Sequence, residues 1–412
     1  MTDFENIDRV RAHFPILSDR VYGRPLVYLD NAATSQRPVE VIDKWNDITQ
    51  HHNANLHRAV HSLANDATEE YEDTREFVRE FLHAADRSEV VFTAGTTAAI
   101  NLVAFSFGES EIGEGDEIII AESEHHSDIV PWQMMAQRRG AVIKVLPVDE
   151  DGYIDLERLK ELLSSGRAKI CCVAHISNVL GIINPIKEIV SICHSFGCAV
   201  LADGAQGAVH CAVDVQDLDC DFYVFSGHKV YAAPGTGVLY GKKCWMDKLP
   251  PYMGGGEMID TVRWAGTSYA RSPQKFEAGT QNIAGTPTLK PALLFAKALR
   301  NNAIEEEQKR ITEYILSMVE ADSRIRLFGS PRRVEDKIPL FSISVEGAHH
   351  EDLALLLDKM GVAVRSGQMC AEPLMDRYGV SGMLRVSFAP YNTLEEAHYF
   401  AECLHKAIDM LI

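Results

Sequence analysis

Lys169-Ile170-Cys171-Cys172-Val173-Ala174-His175-Ile176, Ala199-Val200-Leu201-Ala202-Asp203 and Phe222-Tyr223-Val224-Phe225 are three apolar runs of strand length. An amphipathic stretch, residues 186–196, separates the first two. Short, uniformly apolar runs suit strands buried on both faces, and a helical-period segment between two of them suits a crossover. The same rhythm extends outward in both directions. It predicts strands at 89–93, 117–121, 142–148, 169–176, 199–203, 222–225 and 237–240, with helices near 97–107, 129–139, 156–163 and 186–196. Such alternation reads as an α/β domain with a mainly parallel sheet flanked by helices.

The rhythm breaks at Gly254-Gly255-Gly256. Helical stretches at 289–300 and 304–320 follow, then a strand at 340–345, a helix at 351–360, strands at 362–365 and 384–388, and a closing helix from Thr393. That order predicts a smaller C-terminal α+β domain with a mixed or antiparallel sheet. The expected division is 1–30 as an N-terminal segment packing on the small domain, 31–289 as the large domain and 290–412 as the small one. No internal repeat or low-complexity tract interrupts the chain.

The 412 residues carry a formal charge of −19, and the densest basic runs, such as Gln137-Arg138-Arg139 and Pro331-Arg332-Arg333, are short. That balance argues against nucleic acid as a partner. Apolar runs stop far short of the ~20 residues a membrane span needs. The acidic start Met1-Thr2-Asp3-Phe4-Glu5 lacks an apolar signal core, so a cytoplasmic location is expected. Nine cysteines, several in apolar runs and none in a CxxC pair, read as mainly buried free thiols.

Phe225-Ser226-Gly227-His228-Lys229 is the strongest local chemical signal. A lysine at the end of a buried strand can sit in a low-dielectric pocket where its amine deprotonates readily, as a Schiff-base lysine must. Taken alone, such a lysine is more often a surface residue. Its neighbours change the balance. Asp203 stands at the carboxyl end of the preceding strand, where open α/β sheets collect ligands. A carboxylate there suits the pyridinium nitrogen of pyridoxal phosphate. Thr93-Ala94-Gly95-Thr96-Thr97 joins a strand to a helix and offers hydroxyls and amides to a phosphate. Glu124-His125-His126-Ser127-Asp128 has no second ligand cluster for a metal, so His125 reads as an aromatic stacking on a cofactor ring. Cys370 lies between Arg365 and Pro373 in a polar, Gly-containing stretch, where a thiol is accessible.

Seven motifs in order, Gly95-Thr96-Thr97, Glu124-His125-His126, His175-Ile176-Ser177-Asn178-Val179-Leu180-Gly181, Asp203-Gly204-Ala205-Gln206, Ser226-Gly227-His228-Lys229, Phe276-Glu277-Ala278-Gly279-Thr280 and Arg365-Ser366-Gly367-Gln368-Met369-Cys370, closely resemble the SufS-type cysteine desulfurases. These are fold-type I pyridoxal phosphate enzymes of the class V aminotransferase superfamily. The resemblance runs from Tyr28-Leu29-Asp30-Asn31-Ala32-Ala33 to Tyr391-Asn392-Thr393. It implies that Lys229 joins covalently to pyridoxal 5′-phosphate and later moves protons, and that His125 stacks on the ring and assists acid–base steps. Asp203 would pair with the ring nitrogen and Gln206 with the ring hydroxyl. Thr96, Thr97, Ser226 and His228 would surround the phosphate, with Thr280 reaching in from the second subunit of a homodimer. Asn178, Arg365, Arg385 and Ala32 would meet the substrate, Arg385 by a two-point contact with its carboxylate. No metal site is implied.

The implied reaction converts L-cysteine to L-alanine and leaves a persulfide on Cys370. That sulfur then passes to an acceptor protein of the SufE or SufU type for iron–sulfur cluster assembly. Several positions depart from the family pattern. Gln368 and Met369 stand where two histidines often precede the cysteine, Ala98-Ala99 replaces Glu-Gly, Asp128 replaces Asn, Ala232-Ala233-Pro234 replaces a Gly-Pro-Thr stretch, and Gln281 replaces proline. The competing readings are a selenocysteine lyase, in which the cysteine matters less, and a non-catalytic scaffold with the same fold. A scaffold has no need of Lys229, Asp203, His125 and Cys370 together.

Overall fold

The computed structural model describes residue 4, residues 6–58 and residues 60–412. Residues 1–3 and 5 of the expected N-terminal segment lie outside the described residues. Seven strands form one sheet: β1 Val90–Thr93, β2 Glu117–Ala121, β3 Val142–Leu146, β4 Ala168–Ala174, β5 Ala199–Asp203, β6 Phe222–Ser226 and β7 Gly237–Gly241, in the order β1-β7-β6-β5-β4-β2-β3. Only β7 runs against its neighbours; the pairings of β2 through β6 are parallel.

Period-two alternation explains why the runs are apolar throughout. In β4, Ile170 and Cys172 pack with Phe107 and Trp132 on one face of the sheet. Cys171 and Val173 pack with Leu159, Ile189 and Val190 on the other. Both faces are covered by helices, so neither can be polar. Each aliphatic side chain so buried contributes about 1.5–3 kcal/mol. The edge strand β3 differs, because Val142 and Val145 remain exposed.

A second sheet is built from β8 Ile325–Phe328, β9 Leu340–Val345, β10 Arg365–Gly367 and β11 Met383–Ser387, all antiparallel in the order β8-β9-β11-β10. The helices Asn302–Ala321, His350–Lys359 and Leu394–Leu411 close a separate core over it with Ile311, Ile315, Leu353, Leu357, Phe400 and Leu404. The expected strand at 362–365 is two pieces. Val362–Ala363 pairs with Val27–Tyr28, while Arg365–Gly367 joins the sheet. Val364 between them changes partners, which a four-residue apolar run does not announce.

Chain order and packing part company at two places. Val27 and Leu29 join the smaller core, but Val10 and Phe14 pack in the larger one, where the Phe14 ring lies 4.4 Å from Tyr391 and 5.4 Å from Phe295. The helix Leu289–Ala298 also sends Leu289, Leu293 and Phe295 into the larger core. An apolar stripe states that a helix packs, not against which core. The reading above assigns no element to residues 31–88, yet a helix of 21 residues runs over Ser62–Leu82. Its buried stripe includes Thr74 and Arg75, which interrupts the apolar period.

Candidate active site

The carboxyl ends of the parallel strands open onto one cavity of about 240 Å³. Asp203 ends β5, Lys229 follows β6 by a single 3-10 turn, and the 122–128 loop leaves β2. Sheet geometry therefore delivers these groups to one rim, as the topology of open α/β sheets requires. Of the expected site residues, Ala32, Thr96, Thr97, His125, Asn178, Asp203, Gln206, Ser226, His228, Lys229, Arg365, Cys370 and Arg385 all line this cavity. Thr280 does not. It is exposed and lines a separate cavity of about 300 Å³ with Tyr252 and Gln281. A larger cavity of about 390 Å³, bordered by Tyr231, Arg300 and Lys337, contains none of them.

Lys229 is half-buried with its amine in the cavity, and burial pulls its ammonium down to about 8 against the opposing pull of Asp203. Burial likewise raises Asp203, with Lys229 holding it back. Asp203 Oδ1 accepts from Ala205 N at 2.8 Å. His125 and His228 are each depressed to about 4, chiefly by burial and then by Lys229, so both imidazoles are neutral at pH 7. His125 Nδ1 accepts from Ser127 N at 3.0 Å, which fixes the ring's tautomer with the proton on Nε2.

At the other end, Gly95 caps the helix Thr96–Glu111 with φ +147°, a conformation side chains avoid, and a Cβ there would stand 3.2 Å from Ser226 Oγ. Ser226 Oγ accepts from Thr96 N at 2.8 Å and donates to Thr96 Oγ1 at 2.9 Å. Thr97 Oγ1 and Ser127 Oγ lie 2.7 Å apart. Ser127 is a wall residue that the sequence reading did not single out, and Met369, named above only as a departure from the family pattern, is another wall residue. Ser127 sits inside the motif quoted for His125, so its hydroxyl was within sight as a partner for Thr97.

The smaller lobe supplies the guanidiniums and the thiol. Arg385 Nη1 donates to Asn178 O at 2.9 Å and Nη2 to Asp30 Oδ1 at 3.0 Å, while its buried Nε has no partner. Arg365 Nη2 stands 3.9 Å from Cys370 Sγ. The Cys370 loop is tied down by its backbone: Met369 O accepts from Asn178 Nδ2 at 2.9 Å, Cys370 O from His126 N at 2.7 Å, and Glu372 N donates to His126 Nε2 at 2.9 Å. Met369 and Cys370 both hold positive φ, +54° and +55°, which non-glycine residues seldom adopt. Between the lobes, Gln206 Nε2 donates to Ala32 O at 2.9 Å and Ser35 N to His228 O at 3.1 Å.

Residues 27–400 match the model of the class-V aminotransferase family. The chain belongs to that family. A probable cysteine desulfurase of Vibrio cholerae is 44% identical over 98% of this chain and 99% of its own. The crystal structure of the Escherichia coli cysteine desulfurase CsdA, in an S-sulfonic acid form, superposes with a TM-score of 0.90 at 37% identity, covering 99% of both chains. The apo cysteine desulfurase of Thermococcus onnurineus gives 0.93 at 32% identity over the full length of both. Class-V aminotransferases are dependent on pyridoxal phosphate, and the residues present fit that group. A buried amine faces a buried carboxylate, and a helix N-terminus carries Thr96, Thr97 and the Ser226 hydroxyl. Asp203 Oδ2 has no protein donor among the described residues.

Proposed function

We propose that this class-V aminotransferase is a cysteine desulfurase, taking sulfur from L-cysteine onto Cys370 and releasing L-alanine. One observation carries the reading. The same cavity wall presents Lys229, whose amine is neutral above about 8, and Cys370, whose sulfur lies beside Arg365. Pyridoxal phosphate, when bound, supplies a sink for the electrons left as the substrate Cα–H bond breaks.

The chain's own groups do the rest. Thr96, Thr97 and Ser226 would hold the phosphate, His228 would border it, Asp203 would face the ring nitrogen, Gln206 the ring hydroxyl and His125 the ring face. Arg385, at 2% exposure and with Nε unpartnered, would take the substrate carboxylate, with Asn178 beside it. The Lys229 amine would carry the proton from Cα. Cys370 Sγ would then attack the substrate sulfur as thiolate, with the Arg365 cation opposing its charge. An S–S bond forms, the substrate Cβ–S bond breaks, and the electron pair of that bond stays with carbon. The carbon fragment takes up the proton that the Cys370 thiol gave up, recovers at Cα the one Lys229 carried, and leaves as alanine, so the sulfur is oxidised and the carbon reduced in equal measure.

The persulfide would pass to an acceptor protein of the SufE or SufU type for iron–sulfur assembly. We further propose a homodimer in which Thr280 completes the neighbouring subunit's site. Its exposure outside the cavity of Lys229 supports that arrangement, as does the exposure of Val262 and Trp264 on the hairpin of Ile259–Arg263 with Gly266–Tyr269. A cytoplasmic location suits nine unpaired cysteines. The test is a Cys370→Ala variant assayed on cysteine and on selenocysteine. Loss of alanine release from cysteine by more than ~100-fold is expected. Retained turnover of cysteine would overturn the nucleophile assignment and favour a selenocysteine lyase.

A further inference from the structure

Behind the cavity wall lies an acid pair that the proposed reaction does not use. Glu124 and Asp128 are both at 0% exposure and lie within hydrogen-bonding reach of each other. Each has one oxygen satisfied: Glu124 Oε1 accepts from Ala174 N at 2.8 Å, and Asp128 Oδ1 from Trp132 Nε1 at 3.1 Å. Among the described residues the other two, Glu124 Oε2 and Asp128 Oδ2, have no partner, and neither has surface through which water could supply one. The groups facing them worsen the problem. Asp203 adds negative charge to both, the Cys172 thiol lies alongside, and no cation pairs with either carboxyl among the described residues.

Two bare carboxylates in contact, buried and with one oxygen of each lacking a donor, are not a stable arrangement. A single hydrogen between the orphan oxygens satisfies both and cancels one charge. Burial first, and the charge of Asp203 on both, raise the two acids, in agreement with retention of that proton at neutral pH. The pair spans the short turn that carries His125 and Ser127, two wall residues, and Ala174 N anchors it to the strand end that pairs with Asp203. We propose that Glu124 and Asp128 share one proton, and that this proton positions the 125–127 turn against the cofactor cavity. Both residues are positioning residues. The second half of the proposal rests on the cavity being the pyridoxal phosphate site; the first does not.

The test uses infrared difference spectroscopy on the full-length chain near pH 7, with and without cofactor. Wild type minus Glu124→Gln, and wild type minus the Glu124→Gln, Asp128→Asn double variant, are each expected to show the C=O stretch of one protonated carboxylic acid. In the single variant an amide N–H replaces the shared proton and leaves Asp128 ionised. Absence of that band from either difference overturns the sharing, whether or not cofactor is present. A second arm follows stability. The native pair holds a proton that the unfolded chain releases above ordinary carboxyl pKa values, so stability falls as pH rises. Between about pH 5 and about pH 7, the unfolding constant of wild type should climb about tenfold more per pH unit than that of the double variant. Equal slopes contradict the proposal. For positioning, the cofactor's visible circular dichroism should survive in Glu124→Gln and be lost in Glu124→Ala. Survival in both would overturn the positioning role while leaving the shared proton standing.

Discussion

Lys229 is held where its amine is neutral above about 8, because burial opposes the ammonium more strongly than Asp203 supports it. Attack on an aldehyde needs the neutral amine, so the rate at which cofactor-free protein captures pyridoxal phosphate should rise with pH and level off above about 8. Growth of the visible absorption band after mixing checks this. A rate still climbing beyond pH 10 would place Lys229 in water. Arg385 offers a second test at this scale. Its Nη2 contact with Asp30 and its free Nε depend on a planar fork, which lysine lacks. Arg385→Lys should raise KM for cysteine by roughly 10–100-fold and leave the cofactor absorption unchanged. Residue chemistry was also the level at which the sequence spoke most clearly: Lys229, Asp203 and His125 stood in motifs of recognisable type. The sequence also put Arg365 near Cys370, where it could favour the thiolate, but their 3.9 Å separation across a loop has no sequence signature.

The Cys370 loop is an element whose shape is imposed from outside. His126 supplies a backbone N–H to Cys370 O and its Nε2 accepts from Glu372 N, while Asn178 takes Met369 O. These ties hold two residues at positive φ, each at a cost of about 1–3 kcal/mol. Removing the imidazole in His126→Ala should loosen the thiol's placement. Single-turnover sulfur transfer should slow about 5–50-fold while the cofactor spectrum stays as in wild type. An unchanged transfer rate would show that the loop holds itself. The sequence revealed the strands of the large sheet, with β9 and β11, through their apolar runs, and their ends came within a residue or two of those predicted, as at 199–203 and 340–345, but it did not reveal β8 or the hairpin at 259–269. It did not reveal the Ser62–Leu82 helix. The stripe that helix buries contains Arg75, whose charge is answered by Glu72 on the same helix and by Glu277 some two hundred residues later.

That ion pair acts on the whole molecule. Arg75 Nη1 meets Glu277 Oε1 at 2.6 Å and Nη2 meets Oε2 at 2.9 Å, and Oε1 also accepts from Phe92 N at 2.7 Å in β1. It thus ties a long helix, the first strand and the segment leading to Thr280. Glu277→Gln would leave the buried guanidinium with only the partly exposed Glu72 as counter-charge, with a loss of up to about 3–5 kcal/mol read by urea denaturation. A loss below about 1 kcal/mol would mean that water reaches the pair. At this scale the sequence showed two lobes but not how they interleave. Phe14, early in the chain, packs on Phe295 and Tyr391, and amphipathic patterning carries no address for such long-range partners. The interleaving matters for function, since Lys229 and Asp203 come from one lobe, Cys370 and Arg385 from the other. The most direct measurement is the mass of the intact chain and its peptides after incubation with L-cysteine and no acceptor. One added sulfur on the peptide containing Cys370, absent from both Cys370→Ala and Lys229→Ala, is the predicted result. A sulfur adduct on another cysteine, or one that forms equally well without Lys229, would contradict the account.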